Sequence, residues 1–455
     1  MKRGRPILAA IFVALTAFVL SIPLRDTEPA SGSAGVETTP SVDETQGPEE
    51  GGTPTPEETE AAELPVDEFA FSGSYPEECL LEVSPPEDDG HLAIDQERGI
   101  EITDPSGGEP ILVEDKFPFK WSPSGTFIAA GNGAIYDSTG RLAMAAPEGD
   151  GPYSWAWSPI ADCLLVSSGS EAVVVVPGSG TTVLHDFGFS RFSFLPGGGD
   201  LALGTLGDDK TLWVASLSTG EARRLKTFPL DEGAVVVLAG WTPDASHVLF
   251  WRGQASALLS DGVPLYAVDS DREVSQVAGS VLAHRDFVTT CGDDVLGVVG
   301  GGARVGTNSK KAARLEPGQK PVLITPEDAH DVSPSCSPEA EFIALIRSDT
   351  PSGQGPDRLT IIDQEGATLF QPSDTGYKDA YPLWGRGDSG VLFIRKPPGQ
   401  EPEVWHVTTA SPAAPTGATL RAVGRDPDIF RDGWGHFLDW SADQPSGVSV
   451  VSGGE

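Results

Sequence analysis

The chain has 455 residues, of which 54 are Gly and 39 are Pro, while only 8% are aromatic. That excess of turn formers favours many short strands over long helices and predicts an all-β fold. The formal net charge of −37, from 30 Lys+Arg against 67 Asp+Glu, repels DNA, RNA and anionic lipid headgroups and excludes nucleic acid as a partner.

At the N-terminus, Lys2, Arg3 and Arg5 precede an uncharged, mostly apolar run from Pro6 to Leu24. As a helix rising ~1.5 Å per residue, the run spans about 28 Å, close to a hydrocarbon core. Residues 1–5 are therefore expected to be a short cytoplasmic basic segment and 6–24 a transmembrane signal anchor, with the rest of the chain on the extracytoplasmic side. The alternative is a signal peptide and a secreted product, but Ser21-Ile22-Pro23-Leu24-Arg25 offers no good small-x-small cleavage site.

Residues 25–78 read as a disordered acidic linker rich in Pro, Gly, Thr and Glu, as in GPEEGGTPTPEETEAAELP. Such a segment buries too little apolar surface to offset its ordering entropy. The propeller region is placed at 79–455 because a short pattern recurs from there on: an apolar or aromatic residue, Ser/Thr-Pro, turn residues, then a β-rich run. It reads WSPSGTFIAA from Trp121, WSPIADCLLV from Trp157, FLPGGGDLAL from Phe194 and WTPDASHVLF from Trp241. Weaker copies start at Val83, Cys291, Cys336, Trp384 and Trp440, with intervals of 36 to 56 residues throughout. Inside most intervals lies a second turn containing Gly, as in AIYDSTGRL and LTIIDQEGATL, so each unit supplies about four antiparallel strands. The Pro cannot donate to a ladder and ends the first strand, and the aromatic before it is free to wedge between neighbouring sheets. Units of this size bury both faces only by radial packing. The expected fold is a β-propeller of eight, alternatively seven, four-stranded blades. The copy at Trp440 suits a closing strand that completes a blade begun near the N-terminus.

The WSPSG, WSPIAD, WTPDAS and CSPEAE segments, each followed by a β-run, resemble the WSPDG repeats of TolB-like propellers across residues 80–455. That resemblance implies the propeller fold. TolB itself has an α/β domain where this chain has an apolar run and a linker, so TolB's lipoprotein partner does not carry over.

Cys79, Cys163, Cys291 and Cys336 include no CxxC pair and allow three disulfide connectivities. Cys291 and Cys336 hold matching repeat positions, which favours pairing them and leaves Cys79 with Cys163; free buried thiols stay open as the alternative. No cofactor, metal or catalytic residue is implied. His91, His185, His247, His284, His330, His406 and His436 are dispersed. The doublets Asp208-Asp209 and Asp293-Asp294 read as solvated turns before they read as calcium ligands. GRGDSG after Trp384 falls in register with the repeat turn, so it is neither a protease nucleophile loop nor an adhesion motif. The resulting expectation is a monomeric, membrane-anchored, non-enzymatic scaffold binding a protein, peptide or glycan at the cell envelope. The alternative is a carbohydrate-active propeller enzyme with acidic residues converging on the central channel.

Overall fold

The computed structural model describes residues 68–408 except 86–89, 97, 105–108, 116–117, 132, 148–153, 168–170, 188, 197–200, 207–210, 229–233, 255–261, 282–286, 301–309, 349, 351–356, 374–375 and 386–389, together with 421–422 and 438–440. The anchor run 6–24 and most of the linker lie outside these residues, as do Asp208, Asp209, His284, His436 and the Arg-Gly-Asp triplet. Among the described residues no helix is long and apolar enough to cross a membrane. One 3-10 turn, Glu77–Leu80, interrupts the otherwise all-β architecture of the described residues.

Strand β1 (Glu68–Ala70) stands apart in sequence from the repeats. After it come β2 (Leu92–Gln96), β3 (Gly99–Thr103) and β4 (Ile111–Val113), then β5 (Phe119–Trp121), β6 (Phe127–Ala130), β7 (Ala134–Asp137) and β8 (Leu142–Met144). The next sheet is β9 (Ser154–Trp157), β10 (Leu164–Ser167), β11 (Glu171–Val176) and β12 (Gly180–His185), followed by β13 (Phe189–Phe194), β14 (Leu201–Leu206), β15 (Thr211–Ser216) and β16 (Glu221–Thr227). The chain continues with β17 (Ala234–Trp241), β18 (His247–Gln254), β19 (Val263–Asp269) and β20 (Val274–Val281), then β21 (Val288–Cys291), β22 (Asp294–Val299), β23 (Lys311–Leu315) and β24 (Val322–Leu323). Last are β25 (His330–Cys336), β26 (Phe342–Ser348), β27 (Asp357–Asp363) and β28 (Thr368–Phe370), β29 (Lys378–Trp384), β30 (Gly390–Lys396), β31 (Glu403–Thr408) and β32 (Arg421–Ala422), and β33 (Leu438–Trp440).

All pairings are antiparallel between sequence neighbours, with three exceptions that shape the molecule. First, β33 pairs with β2, so strands from the two ends of the described chain share the sheet β33-β2-β3-β4. Second, β1 adds a fifth strand to the outer edge of β16. Third, β20 meets β22 through the single pair Val281–Val299, which fuses β17–β20 and β21–β24 into one eight-stranded sheet.

Burial shows how the sheets stand to one another. Strands such as β10 are buried at every position, and successive side chains enter different cores: Leu164 and Val166 pack with Ala129 and Ile135 of the preceding sheet, Leu165 with Phe189 and Phe192 of the following one. β18 divides likewise, Val248 and Phe250 to one side, Leu249 and Trp251 to the other. So does β26, with Ile343 and Leu345 against Leu296 and with Ala344 and Ile346 against Trp384. This is the period-two alternation of a strand whose two faces are both covered, and it explains the near-continuous apolar runs. The cores close on themselves, because Leu92 and Ile94 of β2 pack with Ala380 and Leu392 of β29 and β30, while Ala93 packs with Phe119 of β5. Sheets that cover each other in a closed circuit, with first strands in contact as β9 with β13, β13 with β17, β21 with β25, β25 with β29, β29 with β33 and β33 with β5, form a β-propeller.

Candidate functional site

The repeat signature forms a loop whose hydrogen bonds recur from unit to unit. The N–H after the first motif residue donates to the carbonyl five residues on in Ser122→Phe127, Ser158→Cys163, Thr242→His247, Ser337→Phe342 and Gly385→Gly390. In three of these loops the Ser or Thr hydroxyl accepts the return N–H, Phe127 to Ser122 Oγ, His247 to Thr242 Oγ1 and Phe342 to Ser337 Oγ, while Ser158 Oγ accepts the Ile160 N–H. The motif aromatics Trp121, Trp157, Phe194, Trp241 and Trp384 are all buried at sheet junctions. Two of them donate Nε1–H to the carbonyl just before the preceding motif position: Trp157 to Lys120 O at 2.9 Å and Trp384 to Ser335 O at 2.8 Å. Val83 is no strand end; its N–H donates to Ile160 O, and β33, ending at Trp440, supplies the first strand of that sheet.

The unit at Cys291 departs from the pattern. β21 and β22 join through the two-residue turn Gly292-Asp293, with Cys291 opposite Asp294. Lacking the longer motif loop, Cys291 turns toward the following sheet and bonds Cys336, with Cα atoms 5.3 Å apart. Cys79 bonds Cys163, with Cα atoms 5.6 Å apart.

Two first strands carry buried ion pairs at equivalent places. Asp331 is bidentate with Arg347, Nε at 2.8 Å and Nη2 at 2.7 Å, and Asp379 with Arg395, Nε at 2.7 Å and Nη2 at 2.8 Å. Asp379 also accepts the Leu359 N–H from the preceding sheet at 2.9 Å. Burial pushes its carboxyl up, against the pull of Arg395. Tyr377, Phe393 and Trp405 surround the Arg395 guanidinium. Both strands bulge just after the acid, where Ser333 and Tyr381 each take φ near +52° before a Pro. Lys311 Nζ is caged by the carbonyls of Pro326, Glu327 and Ala329, and desolvation lowers its pKa. The Tyr136 hydroxyl, partly buried and donating to Asp115, is pushed up to about 12 by desolvation and by that acid.

Among the described residues, none of the other sequence candidates converges. His185 meets Glu171, His247 meets Ser246, and His330 accepts the Lys310 N–H. His91 stacks near Trp121, and Asp294 pairs with Arg314 at 2.9 Å. Among the described residues no three His, Cys, Asp or Glu come together as metal ligands.

The feature sequence reading missed is a strap. Composition assigns residues up to 78 to the linker, yet Glu68–Ala70 form a strand and Glu77–Leu80 a 3-10 turn. β1 pairs with β16, Phe71 N–H donates to Gly220 O, and Ser72 exchanges two backbone bonds with His185 of β12. Phe71, Tyr75 and Cys79 are buried and Phe69 partly so, all within the core between β9–β12 and β13–β16. The aromatic alternation in EFAF was the available signal, hidden by the surrounding acidic composition. Beside the strap opens a groove of about 400 Å³, lined by Glu68, Phe69 and Ala70 of β1, Val214 and Ser216 of β15, and Glu221, Ala222 and Arg223 of β16. Its apolar lining from Phe69, Val214 and Ala222 and its charged rim of Glu68, Glu221 and Arg223 suit an extended peptide or polar chain.

No family model matches the chain, and no curated protein matches it by sequence. Solved structures with similar backbones include Porphyromonas gingivalis dipeptidyl peptidase 4, at 11% identity and a TM-score of 0.42, covering 75% of this chain and 53% of that one. Others are dihydro-heme d1 dehydrogenase NirN, at 14% and 0.47 with 78% and 80% covered, and TolB from Acinetobacter baumannii, at 17% and 0.32 with 62% and 63% covered. The chain thus spans about half the length of the dipeptidyl peptidase, and no activity or partner of these proteins transfers to it.

Proposed function

We propose that this protein is an eight-bladed, non-enzymatic propeller scaffold, held at the extracytoplasmic face of a cell membrane by residues 6–24, which binds an extended protein, peptide or glycan segment on its rim. The observation that carries this reading is the rim groove, built jointly by β1, which leads in from the N-terminal side, and by the ring strands β15 and β16. Eight junction cores, one between each successive group of four strands, support the blade count. Both disulfides support an oxidising compartment. Against the enzyme alternative, the acids whose side chains are described on first strands, Asp331 and Asp379, are each committed to an arginine.

A photo-crosslinking residue placed at Ser216 in the full chain on intact cells should give a discrete adduct that Arg223→Glu abolishes and that a crosslinker at Leu142 does not give. Equal labelling at both positions, or turnover of a glycan or peptide panel without any adduct, would sink the scaffold reading. Protease added outside the cells should clip residues 25–67; full protection would overturn the orientation.

A further inference from the structure

The strap touches sheets far along the chain from where it leads. It crosses β16 and β12, is bonded through Cys79 to Cys163, and is held again by Val83 N–H on Ile160 O at 2.8 Å. Only then does the chain reach β2. That strand is where the two ends of the ring meet; among the described residues it holds β33 by three pairs, Leu92–Trp440, Ala93–Asp439 and Ile94–Leu438. Two glycines admit the strap: a Cβ on Gly220 would lie 2.7 Å from Phe71 O, and one on Gly73 would lie 2.5 Å from Val183 O. Both have positive φ, +75° and +127°. Close backbone approach, aromatic burial and a covalent bond therefore converge on one crossing.

We propose that Glu68–Val83 is a latched strap that carries a pull arriving from the N-terminal side into the middle of the ring and keeps it off the closure. With the disulfide closed, the covalent load path leaves the chain at Cys79 and rejoins it at Cys163, a sequence separation of 84 residues. Strands β2 to β9 lie inside that bypassed loop, so β2 is never tensioned against β33. Without the bond, the same pull peels three pairs at β1, then Ser72 and Val83, and arrives at Leu92, where three more pairs and the packing of Leu92 and Ile94 keep the ring shut. The inference goes beyond the binding reading and needs no membrane, because anything that engages the chain upstream of Glu68 meets the strap first.

The test stretches the full chain between its N-terminus and a handle inserted at the exposed turn of Gly318, where an added Cβ would meet no atom within 4 Å. Oxidised wild type should show no release of the bypassed loop. Cys79→Ser/Cys163→Ser should add a low-force rupture followed by roughly 290 Å of extra contour, from 84 residues at ~3.5 Å each. Gly220→Val, which displaces the strap but leaves the disulfide, should release only the segment between Glu68 and Cys79 and then stop. Low-force release of the long segment in wild type or in Gly220→Val would overturn the latch, and so would identical traces for wild type and the double serine variant.

Discussion

In the motif loop one backbone position decides the cost. The N–H of the third residue after the Ser/Thr donates back to its carbonyl at 2.9 Å in Gly125→Ser122, Ala245→Thr242 and Ala340→Ser337, and all three residues have positive φ, at 70°, 59° and 56°. A left-handed residue with a Cβ costs about 1–2 kcal/mol, part of which glycine returns as unfolded-chain entropy. Ala245→Gly and Ala340→Gly should therefore each stabilise the protein by about 0.5–1 kcal/mol, and Gly125→Ala should destabilise it by a similar amount, read from urea midpoints at constant m. A loss of stability in both glycine variants would show that the turn tolerates its methyl groups without strain.

The same loop carries a pH dependence. The Asp244 carboxylate accepts bonds from Thr242 Oγ1 and from the Ser246 N–H and hydroxyl, and these bonds push its pKa down to about 2. A folded pKa below the unfolded value of ~3.9 means stabilisation that is complete above that value and is lost as pH falls toward 2. The group is largely exposed, so solvent screening limits the effect to about 0.5 kcal/mol. Asp244→Asn should flatten the fall in unfolding free energy between pH 5 and pH 2, and an unchanged slope would assign the acid sensitivity elsewhere.

At the scale of elements, the paired strands β25/β26 and β29/β30 are stapled by the same device. Asp331 and Arg347 are direct cross-strand partners, as are Asp379 and Arg395, and both pairs are almost wholly buried. Removing one partner strands the other charge, at a cost of about 3–5 kcal/mol. Arg395→Ala should accordingly lower stability by that amount, and Asp379→Leu combined with Arg395→Met by much less, as measured by chemical denaturation. Equal costs for the single and double variants would show that packing of Arg395 against Tyr377 and Trp405, rather than charge, is what matters. These strands also mark the limit of sequence reading. The motif turns were legible because Ser/Thr-Pro and the turn residues have local backbone meanings, and the aromatics because junction burial needs bulk. The ion pairs were not, since an Asp three residues before a Pro and an Arg sixteen positions after that Asp show no relation until the hairpin registers them. Cys291 looked like one more motif aromatic position, although its two-residue turn reverses which face it presents. The strap was hidden because linker composition dominates its local average while its few aromatics do the burying.

For the whole molecule, circular closure makes every sheet depend on both neighbours. The disulfides staple loops of 84 and 45 residues, and the chain entropy removed by each is worth about 4–5 kcal/mol, so loop length scarcely distinguishes them. What differs is the place held: Cys291–Cys336 locks one junction directly, whereas closure at β2 and β33 rests on three backbone pairs and apolar packing. Removing residues 438–455 takes away β33 and leaves β2 as an open edge, with Leu92 and Ile94 still packed on β29 and β30. Loss of protection should then start at the opened seam and spread along the sheets that flank it. Hydrogen exchange in the truncated chain should accelerate most in 92–113 and 119–144, next in 378–408, and least in 154–227, where the strap and its disulfide bind two sheets together. Uniform acceleration in every sheet would mean that the ring opens as one cooperative unit, in which case β33 sets its global stability and the strap protects no region selectively.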